Sequence, residues 1–144
     1  MSENEHQALR DALNAEYAAV YAYGVIAAYA STERTELIAQ YTAAHRARRD
    51  TIADTLTADG AQVPPPDAAY TAPFPVTDPV SAARLAVTVE SDTAVAWRSV
   101  VERGASATVR GTGVDALTEA AVRLATWQSF LGANPPTRAF PGAA

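Results

Sequence analysis

Gly60-Ala61-Gln62-Val63-Pro64-Pro65-Pro66-Asp67-Ala68-Ala69-Tyr70-Thr71-Ala72-Pro73-Phe74-Pro75-Val76-Thr77-Asp78-Pro79 divides the chain into two nearly equal halves. Gly60 is a typical residue just past a helix end, and Asp78-Pro79 supplies an N-cap followed by proline at the first helical position. The prolines between them exclude helix and disfavour a central strand. Residues 61–77 therefore read as an extended linker. A helix of roughly 27 residues is ~40 Å long, and about 17 extended residues reach ~55 Å. The linker is long enough to run back along a helix pair and start the next helix parallel to the one it left.

Each half reads as a helical hairpin. Ser2 followed by Glu5 is a capping box, and Leu9, Leu13, Glu16, Val20, Gly24 and Ala27 then recur at spacings of three and four. The spacing predicts a first helix over 3–29 and a turn at Ser31-Thr32. A second helix, over 33–59, carries Ile38, Tyr41, His45, Arg48, Ile52 and Leu56. A third, over 79–103, carries Ala83, Val87, Glu90, Ala94, Trp97 and Val101. A fourth, over 107–131, carries Leu117, Ala120, Leu124 and Leu131, leaving a tail at 132–144.

The turn between the last two helices has two candidate positions, Gly104-Ala105-Ser106 and Gly111-Thr112-Gly113. Shifting the first half by 74 residues lays Glu16 over Glu90, Arg49 over Arg123 and Ser31-Thr32 over Ala105-Ser106. This favours the earlier turn and leaves Gly111 and Gly113 inside the helix, each at a cost of ~1 kcal/mol relative to alanine. The expected architecture is all-α: one domain over 1–144, a four-helix antiparallel bundle with a long proline-rich crossover between helices 2 and 3.

Composition excludes several function classes. The 144 residues are 49% hydrophobic and 19% charged, a globular balance. All eleven basic residues are arginine, and the net charge is −5. The densest basic cluster is Arg46, Arg48 and Arg49, which argues against a nucleic-acid partner. Cysteine is absent, excluding disulfides and thiolate chemistry. No apolar run approaches the ~20 residues of a membrane span, and the polar, acidic N-terminus is unlike a secretion signal. These features point to a cytoplasmic protein.

Three ionisable residues fall on the apolar stripes: Glu16, His45 and Glu90. Buried charge is costly unless paired or metal-bound. Two carboxylates and an imidazole suit iron, manganese or zinc, with Tyr17, Tyr21, Tyr23 and Tyr41 close by. The structural alternative is a buried network in which Arg48 or Arg49 neutralises Glu16 or Glu90 while His45 hydrogen-bonds to them. Tyr41, Glu119 and Gln128 complete the expected surroundings, Glu119 as a solvated residue and Gln128 as an internal hydrogen-bond partner. Trp97 and Trp127 read as core and His6 as exposed. Phe74 and Phe140, each before a proline, offer a protein-docking surface or a cover for the bundle end.

Leu13-Asn14-Ala15-Glu16-Tyr17-Ala18-Ala19-Val20-Tyr21-Ala22-Tyr23-Gly24, Ala44-His45-Arg46-Ala47-Arg48-Arg49-Asp50, Ala116-Leu117-Thr118-Glu119-Ala120-Ala121-Val122-Arg123 and Ala139-Phe140-Pro141-Gly142 resemble the ferritin-like superfamily. They resemble more closely an actinobacterial ferritin-like family of unknown function. The superfamily's di-iron members carry Glu in helices 1 and 3 and Glu-x-x-His in helices 2 and 4. Glu16, Glu90 and His45 match that pattern, and Glu119 could match the fourth-helix glutamate. Thr42 stands where the second-helix glutamate should be, and Val122 where the fourth-helix histidine should be. The resemblance thus implies a degenerate centre in a non-catalytic homodimeric bundle with a binding or structural role, its small-molecule ligand unidentified. The alternative it leaves open is an oxidoreductase holding one iron or manganese ion on Glu16, His45 and Glu90.

Overall fold

The computed structural model describes residues 1–143. Its helices are α1 (Glu3–Tyr29), α2 (Thr35–Ala58), α3 (Pro79–Arg103) and α4 (Ala107–Phe130), with a 3-10 turn at Thr32–Arg34 before α2. Local chemistry sets the helix starts. At α1, Ser2 and Glu5 each bond the other's backbone N–H, and Asp78 and Ser81 do the same at α3. Ser106 caps α4 by accepting from the Val109 N–H. The turn between α3 and α4 is therefore the earlier one, and both Gly111 and Gly113 lie within α4.

Gly113 is there for space. A Cβ on it would come within 2.9 Å of the Val101 Cγ2 and 3.2 Å of the Val101 N, so the missing side chain is what lets α4 lie against α3. Gly111 meets nothing within 4 Å.

α1 packs against α2 and α3, and α3 against α4. α2 and α4 stand further apart, and a groove of about 560 Å³ separates them, lined by Ala44, Ala47 and Val122 among others. The result is an all-α four-helix bundle. Its apolar core forms two layers. One gathers Tyr23, Ile26, Ile38, Leu85, Val89 and Trp127. The other gathers Leu9, Leu13, Ile52, Leu56, Trp97 and Val100. Glu16, His45, Glu90, Thr93 and Arg123, all buried, fall between the two layers in sequence on each helix.

The inward face of α1 departs from the expected stripe beyond Glu16. The buried residues are Ala19, Ala22, Tyr23 and Ile26, whereas Val20 is half-buried and Gly24 and Ala27 are exposed. Spacings of three and of four both fit a 3.6-residue turn, and the larger apolar side chains take the inside. His6 is also half-buried rather than exposed, its Nε2 2.6 Å from Asp59 Oδ2.

The linker crosses the bundle lengthwise. Ala61 and Val63 pack on one core layer, Phe74 and Val76 on the other. Along the way the Tyr17 hydroxyl donates to Pro64 O at 2.9 Å and Arg10 Nε to Gln62 O at 3.2 Å. Phe74 is thus a covering residue, while Phe140 is 76% exposed. In the tail, Gly142 (φ +77°) presses on α3 so closely that a Cβ would lie 2.5 Å from Ala94 O. Among the described residues no helix is long and apolar enough to cross a membrane.

Candidate functional site

Glu16, His45 and Glu90, which come from three different helices, meet at mid-bundle with no exposure to solvent. His45 Nδ1 lies 2.6 Å from Glu16 Oε2, and its Nε2 2.7 Å from Glu90 Oε1. Each ring nitrogen thus faces a carboxylate, which can only accept when ionised. Both nitrogens donate, and the ring is an imidazolium. Burial alone would push its pKa down, but the hydrogen bonds it donates to Glu16 and Glu90 outweigh that and raise it from 6.5 to about 9.

The fourth charge is Arg123, which sequence reasoning missed. Its Nε sits 3.0 Å from both Glu90 oxygens, from the buried face of α4. Burial works against ionised Glu90, yet His45 and then Arg123 hold its carboxyl below the ordinary range. Burial likewise opposes the Arg123 charge, and Glu90 more than compensates. Two carboxylates, one imidazolium and one guanidinium cancel.

Neutral donors add to the network. Trp97 Nε1 donates to Glu16 Oε1 at 2.8 Å and the Tyr23 hydroxyl to Glu90 Oε1 at 2.7 Å. Trp127 Nε1 donates to the Tyr23 oxygen at 3.0 Å. Thr93 Oγ1 donates to the Glu90 backbone oxygen at 3.0 Å. Burial, and then the neighbouring Glu90, push the Tyr23 hydroxyl well above its ordinary pKa, so it remains a donor. The two tryptophans are core residues, but each also carries a polar duty that helical spacing does not reveal.

The arginines expected to neutralise this centre lie elsewhere. Arg48 forks onto Glu119 across the α2–α4 groove at 2.7 and 3.2 Å, and Arg49 pairs with Asp50 at 2.8 Å. Both are half-buried and flank the inward line through His45 and Ile52 on either side, with their guanidinium groups turned to partners away from the centre. Glu119 is exposed, with its nearer approach to Arg123 at 3.9 Å. Tyr41 stands edge-on to Tyr23 and Trp127, and the Arg123 guanidinium lies 6.0 Å over its ring. The half-buried Gln128 takes no part in the network. A signal for Arg123 was present: the 74-residue shift pairs it with Arg49, and it lies four residues before Trp127 on an otherwise apolar face.

The charges of this centre neutralise one another. The imidazole separates the two carboxylates, and both of its nitrogens are in use. Among the described residues no group of three or more His, Asp and Glu side chains is placed to hold a metal ion.

A family model described as a domain of unknown function (DUF4439) matches residues 8–144. The chain belongs to this family. A solved relative of the same shape is a conserved hypothetical protein, rv2844, from Mycobacterium tuberculosis. Its crystal structure superposes with a TM-score of 0.88 at 38% identity, covering 90% of this chain and 98% of that one. No curated protein matches the chain. The likeness to that solved structure is one of shape over nearly the whole of both chains.

Proposed function

We propose that the protein is a non-catalytic bundle on a ferritin-like scaffold, with a structural or binding role, in which an ion network occupies the place of a metal centre. One observation carries this reading: His45 spends both ring nitrogens on carboxylates while Arg123 supplies the second positive charge. A metal on Glu16, His45 and Glu90 would have to displace the histidine proton and then stand beside a fixed guanidinium. Thr42 and Val122, where the di-iron pattern has a carboxylate and an imidazole, support the same conclusion.

The test is metal content by plasma mass spectrometry on tag-free, chelator-free protein, before and after anaerobic incubation with ferrous iron. Substoichiometric iron, manganese and zinc in both samples is the expected result. A stoichiometric ion that is lost in Glu16→Gln and His45→Ala would replace this reading with the oxidoreductase one.

The same reading takes the bundle to be a homodimer. Val122 and Val114 support this, 60% and 49% exposed on α4, with Val122 lining the α2–α4 groove. Sedimentation equilibrium should give twice the chain mass, and Val122→Glu should shift it toward the monomer. A monomeric parent protein would end the dimer proposal.

A further inference from the structure

Where residues 70–73 of the crossover pass α1 and α3, a half-open cavity of about 380 Å³ lies between them. Val25, Leu85 and Val89 contribute apolar lining, and the rings of Tyr21 and Tyr70 lie 5.3 Å apart at its side. Asp92 is the one formally charged residue in that lining. Asp92 stands at the solvent-facing edge of the lining, where partial burial raises its carboxyl above the ordinary 3.8 and no neighbouring cation acts to lower it. By contrast, the carboxylates of the buried network are each matched by a basic side chain.

A cavity of this volume is within the range of small-ligand sites, which combine apolar walls with a few polar groups. An unmatched carboxylate beside two tyrosine rings favours one ligand class. A cation gains from the negative charge and from the ring quadrupoles, while an anion would meet repulsion from Asp92 and from a chain of net charge −5. We propose that this cavity binds a small organic cation, a protonated amine carrying an apolar body, with Asp92 as counter-ion and Tyr21 and Tyr70 as its aromatic wall. The proposal is independent of the buried network and of whether that network ever holds a metal.

Isothermal titration calorimetry of the full chain with phenethylammonium, and with the uncharged phenethyl alcohol as comparison, tests it. The amine should bind saturably at one site per chain and at least about tenfold more tightly than the alcohol. Asp92→Asn should remove most of that preference. Asp92 is exposed, so far-UV circular dichroism should be unchanged by this substitution. Should Asp92→Asn lose helicity, Tyr70→Leu on the crossover replaces it, with weaker amine binding expected. Absence of saturable amine binding, equal binding of amine and alcohol, or full affinity in both variants would overturn the proposal.

Discussion

His45 holds its proton more tightly in the folded protein than in the unfolded chain, about 9 against an ordinary 6.5. That difference contributes on the order of 3 kcal/mol to stability. The contribution is whole below pH 6.5 and disappears as pH rises through about 9. Glu90 has the opposite sense: its lowered pKa stabilises the fold above 4.5, and the benefit is lost as pH falls through the folded value. Urea melts from neutral pH to about pH 10 should show the alkaline loss, and His45→Gln should flatten it. Removing Arg123 leaves two buried carboxylates sharing the single positive charge of His45, so Arg123→Met should cost about 3–5 kcal/mol in the same melts. A cost near zero would show that Glu90 is satisfied by His45 alone. The convergence of Glu16, His45 and Glu90 was legible because charged residues on an apolar stripe need partners. Arg123 was marked only by the 74-residue shift and its place on an apolar face, because an arginine among alanines reads as solvent-directed until the carboxylate across from it is known.

Among the elements, α4 gives the sharpest contrast. Its two internal glycines look equivalent in the sequence, and only the packing separates them. Gly111→Ala should stabilise by about 0.5–1 kcal/mol, since the site is open and helical. Gly113→Ala should destabilise by about 1–3 kcal/mol, because the new methyl meets Val101. Thermal melts of the two variants should move in opposite directions, and equal shifts would contradict the close α3–α4 contact. Helix starts were legible from Ser2, Asp78 and Ser106, whose side chains bond the first free backbone donors. The far half of α1 was not, since Val20-Gly24-Ala27 and Ala19-Tyr23-Ile26 obey the same period. The volumes that fit between α2 and α3 decide between them.

For the whole molecule the crossover is decisive. Its length and prolines made the lengthwise path readable, but its docking through Tyr17, Arg10 and Phe74 depends on surfaces far away in sequence. The tail docks as well: Gly142 lies against Ala94, and Pro136 and Pro141 cover the outer side of α4. Deleting residues 135–144 should lower Tm by about 5 °C. An unchanged Tm would leave the tail free to serve as a docking segment through Phe140. The polar layer also bears on how the helices align. Alanine-rich faces slide past one another at little cost, whereas four charges from four helices are neutralised in one alignment only. This is the role in specificity that some buried ion networks have.

Trp97 and Trp127 are both fully buried, and each indole N–H ends on the network, one at the Glu16 carboxylate and the other at the Tyr23 hydroxyl. The bundle therefore carries two intrinsic optical probes wired to its own proton inventory. Removing the His45 proton changes the electric field along both indoles without moving either into water. Their emission should shift with alkaline pH before any helix is lost, an unlabelled spectroscopic record of the charge state at the centre of the protein.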